Sequence, residues 1–504
     1  MNKLKVLNCT DGYKTDHRSQ YPEGTEMVYS NWTPRSLKYM AKTPRNDSKI
    51  VVFGLQYIIQ SYLIDLWNDT FFNLPKELVV AQYKRRIDNY LGPDSITCDH
   101  VKDLHDLGYL PIRMRALNEG EIVDPKVAIY TIENTIPKFF WVTNFLETAL
   151  SNLSWKMMTA ASVARDYRDL LDYWAKYTCS SMEAVPFQGH DFSMRGMSTL
   201  EDSAMCGAAH LLSFVGTDAI PAIDLLEDYY GADCEKELIG CSVPASEHSV
   251  MSLSTRNEGE FNTFKRLITE TYPTGIVSIV SDTFDFFKVV TEFLPELKNT
   301  VMKRDGKLVI RPDSGDPADI ICGTCQDTMS PECTPQEKGA IQCLWETFGG
   351  TETENGYKLL DQHIGLIYGD SITLDRANDI CFRLSQKGFA STNVVLGIGS
   401  FTYQYLTRDC CGFAIKATAG VINGEEVEIF KDPKTDDGTK KSAKGFLRVN
   451  KDEDNNYVMF DQQTREEAEG GALEDVFVDG KMVRMTTLSE VRGRMDANAL
   501  YRYK

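Results

Sequence analysis

Short apolar runs rich in β-branched residues recur through the middle of the chain, and each ends in small or acidic residues. Ile276–Val280 runs into Ser281-Asp282, and Lys307–Ile310 into Arg311-Pro312-Asp313-Ser314-Gly315. Ile364–Tyr368 runs into Gly369-Asp370, and Asn393–Leu396 into Gly397-Ile398-Gly399-Ser400. Segments of helical length lie between them, such as Pro317–Cys325 and Leu374–Lys387. Buried strand, polar tip and helix, repeated, is the pattern of parallel βα units. When such units close into a barrel, the carboxyl ends of the strands gather on one face and build the active site. Polar tips that are far apart in sequence then converge.

The two ends of the chain follow a different rhythm. Met27–Trp32 reads as a strand and Ile50–Trp67 as a helix. Ile112–Ala116 and Val127–Ile132 read as strands across a turn containing Glu119-Gly120, and Phe139–Leu150 as a helix. Near the C-terminus, Phe446–Val449 and Tyr457–Phe460 flank an Asp/Asn-rich turn. Val476–Val478 and Lys481–Val483 flank Asp479-Gly480, a two-residue hairpin signal. The predicted fold class is α/β: an irregular β/α barrel-like domain plus a β-rich domain built from N- and C-terminal segments and a helical region. Residues 1–150 form the N-terminal β-rich and helical part and 151–185 a helical connection. Residues 186–405 form the barrel-like catalytic domain, and 406–504 a C-terminal β-rich part that packs with the first.

Composition narrows the class of function. A chain of 504 residues with 42% hydrophobic positions can bury a large core. Lys and Arg total 54 against 73 Asp and Glu, a net charge of −19, which argues against a broad basic surface for nucleic acid. A small local cluster of Arg and Lys around a phosphorylated metabolite remains compatible with that balance. The 13 scattered cysteines form no disulfide framework. Met1-Asn2-Lys3-Leu4-Lys5 begins no apolar leader, and the longest apolar stretch, Ile50–Ile59, is too short to span a bilayer. A cytoplasmic protein without membrane or nucleic-acid partners is expected.

Several residues could carry chemistry. Gly397-x-Gly399-Ser400 lets backbone N–H groups approach a phosphate, although Thr402 stands where G-x-G-x-x-G needs its third glycine. A tight turn fits it equally well. In the Arg311–Gly315 stretch, Pro312 fixes the chain leaving the strand and so aims Arg311 and Asp313. Arg suits phosphate or pyrophosphate and Asp suits a ribose diol, with a structural ion pair as the alternative. Asp282 and Asp370 are acids at strand tips and read equally as helix caps. His248, in Ser246-Glu247-His248-Ser249, is either structural or catalytic, and no Ser/His/Asp spacing marks a hydrolase. Cys322-x2-Cys325-x7-Cys333-x9-Cys343 matches no common zinc module, so no protein-held metal is predicted. Phe192 and Tyr13 suit either the core or a stacking surface.

Ordered stretches from Asp11 to Pro433 carry a more specific signal. They include Asp11-Gly12-Tyr13-Lys14, Phe53-Gly54-Leu55-Gln56-Tyr57-Ile58 and Thr143-Asn144-Phe145-Leu146-Glu147-Thr148. They continue through His190-Asp191-Phe192, Arg195-Gly196, Gly216-Thr217-Asp218, Ser242-Val243-Pro244-Ala245 and Glu247-His248-Ser249. Val280-Ser281-Asp282, Ile310 through Gly315, Gly369-Asp370, Leu406-Thr407-Arg408-Asp409 and Phe430-Lys431-Asp432-Pro433 complete them. Together they resemble the nicotinamide phosphoribosyltransferase family along nearly the whole chain.

That resemblance implies a phosphoribosyltransferase that makes nicotinamide mononucleotide and pyrophosphate from nicotinamide and 5-phosphoribosyl 1-pyrophosphate (PRPP). By the same resemblance, Phe192 and Tyr13, the latter from a partner subunit, sandwich the pyridine ring, and Asp218 accepts from the carboxamide. Arg311 lies near ring and phosphates, Asp313 holds the ribose, and Asp282 also contacts substrate. Gly369, Asp370, Gly399 and Ser400 line the ribose-phosphate pocket. Arg195 meets the pyrophosphate, while Arg35, Arg408, Lys416 and Lys431 add positive charge. His248 matches a histidine phosphorylated by ATP, the implied activator. Mg²⁺ comes with PRPP, and the family is homodimeric with shared sites. This chain has Ser400 where the glycine-rich loop usually has Gly and Ile398 for a small residue, and Ala414 and Thr283 each replace Ser. A nicotinate-specific enzyme, a non-catalytic protein that kept the fold, and another sugar-phosphate barrel enzyme are the alternatives.

Overall fold

The computed structural model describes residues 4–42, 48–325, 332–369, 371–430 and 443–499. Six short strands form a parallel sheet in the order Gly216–Thr217, Gly189–Asp191, Val394–Ile398, Ile364–Tyr368, Leu308–Arg311 and Val277–Val280. Residues 241–246 tie its two edges together. Gly216 bridges Cys241 and Ala245 bridges Ser278, both parallel. Thr217 N–H donates to Cys241 O at 3.0 Å, and Ser278 N–H to Pro244 O at 2.9 Å. The sheet therefore closes into an irregular barrel, as the recurrent apolar runs predict. Ile279, Ile310, Leu366, Leu396 and Ile398 share one face of the sheet and are fully buried or nearly so.

A seven-stranded antiparallel sheet draws on both ends of the chain. Its order is Glu425–Glu428, Ala414–Ile422, Thr25–Thr33, Tyr130–Asn134, Ile112–Ala116, Glu474–Val478 and Lys481–Met482. The long Thr25–Thr33 and Ala414–Ile422 strands pair directly, so the first and last parts of the chain share one sheet. The Asp479-Gly480 turn closes its edge hairpin with φ of 48° and 79°. Two positive φ values match the strand twist, which explains why Asp-Gly is favoured there.

The Trp141–Cys179 helix, 39 residues long, runs between the two sheets and continues unbroken across the expected junction at 150 and 151. Trp32 Nε1 donates to Met158 Sδ on one side, and Tyr167 OH to Ile372 O on the other. Its buried charges are paired, Arg165 with Asp169 and Arg168 with Asp172, each at 3.0 Å. Pairing offsets the desolvation that an isolated buried charge would suffer. Among the described residues no helix is long and apolar enough to cross a membrane.

The predicted Ile50–Trp67 helix needs correction. Ile50–Val51 is a strand paired with Ile122–Val123, and the helix begins at Leu55. Its start is set by the Glu119 carboxylate, which accepts the Gly54 N–H at 2.9 Å and the Gln56 N–H at 2.6 Å. That cap comes from a residue far along the chain and has no local sequence signal.

Candidate active site

Because the barrel strands are parallel, their carboxyl ends share one face. A cavity of about 1130 Å³ opens there. Phe192 and Arg195 follow the Gly189–Asp191 strand, and Asp218 follows Gly216–Thr217. His248 begins a helix after the bridging 241–246 segment. Arg311 ends its strand and Asp313 lies two residues on. Gly369 follows Ile364–Tyr368, and Gly399 and Ser400 follow Val394–Ile398. The structure thus brings together residues that lie between positions 192 and 400 of the sequence.

The Phe192 ring borders one end of the cavity beside His190, with ring centroids 4.5 Å apart. Asp218 Oδ1 accepts from His190 Nε2 at 2.9 Å and from Ser242 Oγ at 2.8 Å. Partial burial would raise its carboxyl pKa. The bonds from His190 and Ser242 and the Arg311 charge outweigh that and hold it below the usual value. Gly397 makes the close approach possible. A methyl group there would sit 2.8 Å from Gly369 Cα, Phe192 Cδ2 and Tyr368 O. Gly397→Ala is expected to cost about 1–3 kcal/mol of stability through overpacking and to displace the Phe192 ring. Thermal melting and the KM for the base would read both effects; a variant with neither would show that the site yields freely.

The part of the cavity around Arg311 is acidic and basic at once. Arg311 Nε is buried, forms no hydrogen bond among the described residues and lies 3.5 Å from Asp313 Oδ1. Asp282 is not exposed to the cavity; its oxygens are taken by protein groups. Oδ1 accepts from His248 Nε2 at 3.0 Å, while Oδ2 accepts from Asp313 N–H at 2.8 Å and Ser314 Oγ at 2.7 Å. Burial opposes its ionisation, but the Ser314, Asp313 and His248 bonds prevail and lower its pKa. Asp218 and Asp282 therefore contribute stability at neutral pH, and that contribution is lost as pH falls through their lowered values. A carboxylate only accepts, so the neutral His248 ring carries its hydrogen on Nε2 and a lone pair on Nδ1. His248 is also the first residue of the His248–Glu258 helix, where unpaired N–H groups and the helix dipole favour an anion.

Tyr13, Arg35, Arg408 and Lys416 are not among the residues that line this cavity. Tyr13 is 64% exposed on the Gly12–Asp16 turn. Arg35 Nε donates to Gly412 O at 2.7 Å, Arg408 sits 3.7 Å from Asp409, and Lys416 is exposed opposite Asn31. Asp370 and Lys431 lie outside the described residues. His190 and Ser242 are functional neighbours that sequence reasoning did not select. The signal for His190 was its spacing: two residues before Phe192 on a strand, it shares that residue's face.

Solved structures share this architecture. The crystal structure of nicotinate-nucleotide pyrophosphorylase from Pyrococcus furiosus matches with a TM-score of 0.56 and 13% identity, covering 100% of this chain and 98% of that one. Human nicotinic acid phosphoribosyltransferase matches with a TM-score of 0.51 and 14% identity, covering 97% and 93%. The fold is that of the type II phosphoribosyltransferases. Residues 187–480 match the nicotinate phosphoribosyltransferase (NAPRTase) family, and residues 5–114 the nicotinamide phosphoribosyltransferase N-terminal domain. A nicotinamide phosphoribosyltransferase from Acinetobacter baylyi is 51% identical over 499 residues, 98% of this chain and 97% of that protein. The chain belongs to the nicotinamide phosphoribosyltransferase family.

Proposed function

We propose that the cavity joins nicotinamide to PRPP, giving nicotinamide mononucleotide and pyrophosphate in NAD salvage. The observation that carries this reading is Asp218, an ionised acceptor in the same cavity as Phe192, Arg311 and Asp313. A carboxylate accepts from the amide NH₂ of nicotinamide and repels the carboxylate of nicotinate.

The pyridine nitrogen already holds a free lone pair, so the reaction needs no general base. A bond forms from that nitrogen to ribose C1. The bond from C1 to the pyrophosphate oxygen breaks, and its electron pair leaves with pyrophosphate. Phe192 supports one face of the ring and fixes it against C1, which is the proximity contribution. Tyr13 of a second copy covers the other face; its exposure outside its own chain's cavity supports a homodimer with shared sites. Arg35, Arg408, Lys416 and Lys431 then supply positive charge around the phosphates across that dimer. Asp313, Gly369 and Asp370 hold the ribose, and Gly399 and Ser400 the 5′-phosphate. Arg195 and Arg311 take the pyrophosphate charge. Asp282 acts as a positioning residue for Asp313 and His248.

The described residues offer no group of three metal-ligating side chains. Mg²⁺ in this reading travels on the pyrophosphate oxygens, as suits an ion that keeps water and phosphate ligands. When bound with the substrate it would supply neutralisation of leaving-group charge beside Arg195 and Arg311. All 13 cysteines are free thiols, which suits a reducing cytoplasm.

ATP is the proposed activator. His248 Nδ1 attacks the γ-phosphorus, the bond to the β,γ-bridging oxygen breaks, and ADP leaves, while Asp282 keeps the Nε2 hydrogen in place. His248→Ala is expected to abolish transfer of radiolabel from γ-labelled ATP to the protein and to remove ATP stimulation. Label retained on that variant would exclude His248 as the acceptor.

The test of the whole reading is a competition. Purified protein receives Mg²⁺, PRPP and equal nicotinamide and nicotinate, with and without ATP, and the product is identified by mass. Nicotinamide mononucleotide is expected. Nicotinate mononucleotide as the main product would overturn the assignment of Asp218.

A further inference from the structure

Asp218 is half-exposed, yet one of its two oxygens is already spent. Oδ1 accepts from both His190 Nε2 and Ser242 Oγ, and Oδ2 takes no hydrogen bond among the described residues. Both donors are themselves anchored. His190 is mostly buried, with 11% of its side chain exposed, and its ring lies between the Gly216 backbone and Phe192. Ser242 belongs to the segment that closes the barrel. The Asp218 backbone is fixed to the His190 strand as well, its N–H donating to Asp191 O at 3.0 Å.

We propose that His190 and Ser242 are positioning residues that brace Asp218, turning Oδ2 toward the base and so setting the choice of amide over acid. The inference rests on the proposed base subsite. Two donors on one oxygen fix the plane of the carboxylate, which leaves a single acceptor aimed into the cavity. Nicotinamide meets that acceptor with an N–H; nicotinate brings a second negative charge to it. The brace also keeps Asp218 away from Arg311. Arg311 stabilises the Asp218 charge, and a carboxylate released from its donors would be drawn to that guanidinium. Such a swing would remove the acceptor from the base and consume the cation that the pyrophosphate needs.

The test uses two deletions, Ser242→Ala and His190→Phe, and two conservative variants, Ser242→Thr and His190→Gln, which keep a donor. Each deletion is expected to raise the nicotinamide KM about tenfold, the loss of one hydrogen bond to a charged group. The turnover number should stay within about threefold, because positioning a base-binding group acts mainly on ground-state and transition-state binding alike. The ratio of kcat/KM for nicotinamide over nicotinate should fall by about the same tenfold. The conservative variants should recover most of both. Ser242 is exposed, so its substitution tests the brace even if His190→Phe fails to fold. Unchanged KM and ratio in Ser242→Ala would overturn the proposal. So would a Ser242→Thr variant as impaired as the deletion, since bulk rather than donation would then matter. A wild-type protein that makes no nicotinamide mononucleotide overturns the underlying function and the brace with it, whereas an active wild type with unaffected variants overturns the brace alone.

Discussion

Arg311→Gln is expected to lower kcat/KM by about 10²–10³-fold, the scale seen when one charge-stabilising donor leaves a preorganised site. Arg311 ends the Leu308–Arg311 strand, and its side chain is only 14% exposed. Its Nε atom is buried without a hydrogen bond among the described residues, 3.5 Å from Asp313 Oδ1. Gln fills a similar space but carries no charge. Pyrophosphate would then depart past Asp313 with its repulsion uncompensated, and the barrier would rise at the moment charge develops. The effect should therefore fall on kcat as well as on the PRPP KM. Arg311→Lys should recover about tenfold of the loss, because it restores charge but not the planar fork. Steady-state kinetics on both substrates separates these outcomes, with thermal melting to confirm folding. A change confined to the PRPP KM would show that Arg311 grips the ground state only.

The barrel was legible where its strands are long enough to have a pattern. Ile364–Tyr368 is predicted and observed over the same residues, because buried parallel strands read as unbroken apolar runs with a polar end. Gly189–Asp191 and Gly216–Thr217 escape that reading. They have three and two residues, and they exist only because Asp191 pairs with Ile398 and Thr217, and His190 with Gly216. Residues 241–246 close the ring through isolated bridges, for which no periodicity exists. The long helix was read as two pieces, Phe139–Leu150 and a helical connection over 151–185, since a helix buried on most sides loses the amphipathic stripe that would mark it as one element. The site followed the same rule. Arg311 and Asp313 stand out beside Pro312 in the sequence, but the link from His248 to Asp282 crosses 34 positions and appears only in three dimensions. Likewise Asp282, which resemblance assigns to substrate, has its oxygens committed to His248, Asp313 and Ser314.

Asp218→Asn is expected to shift the ratio of kcat/KM for nicotinamide over nicotinate by about 10²-fold or more toward the acid, because a site that loses its match to an NH₂ group leaves polar atoms unpaired. The direction follows from the two donors already in place. His190 Nε2 and Ser242 Oγ both point at the same carboxylate oxygen. In the variant those donors hold the amide oxygen of Asn, so the amide NH₂ takes the place of Oδ2. A donor then faces the base where an acceptor stood. It opposes the NH₂ of nicotinamide and donates to the carboxylate of nicotinate, and the loss of the Asp218 charge removes the repulsion that excluded the acid. Competition between the two bases, read by product mass, measures the ratio directly. A ratio unchanged within twofold would mean that Asp218 does not meet the carboxamide, and base choice would have to come from the Phe192 slot. In the Ser242→Ala background the Asn side chain has one donor fewer to hold its orientation, so the same substitution should shift the ratio less.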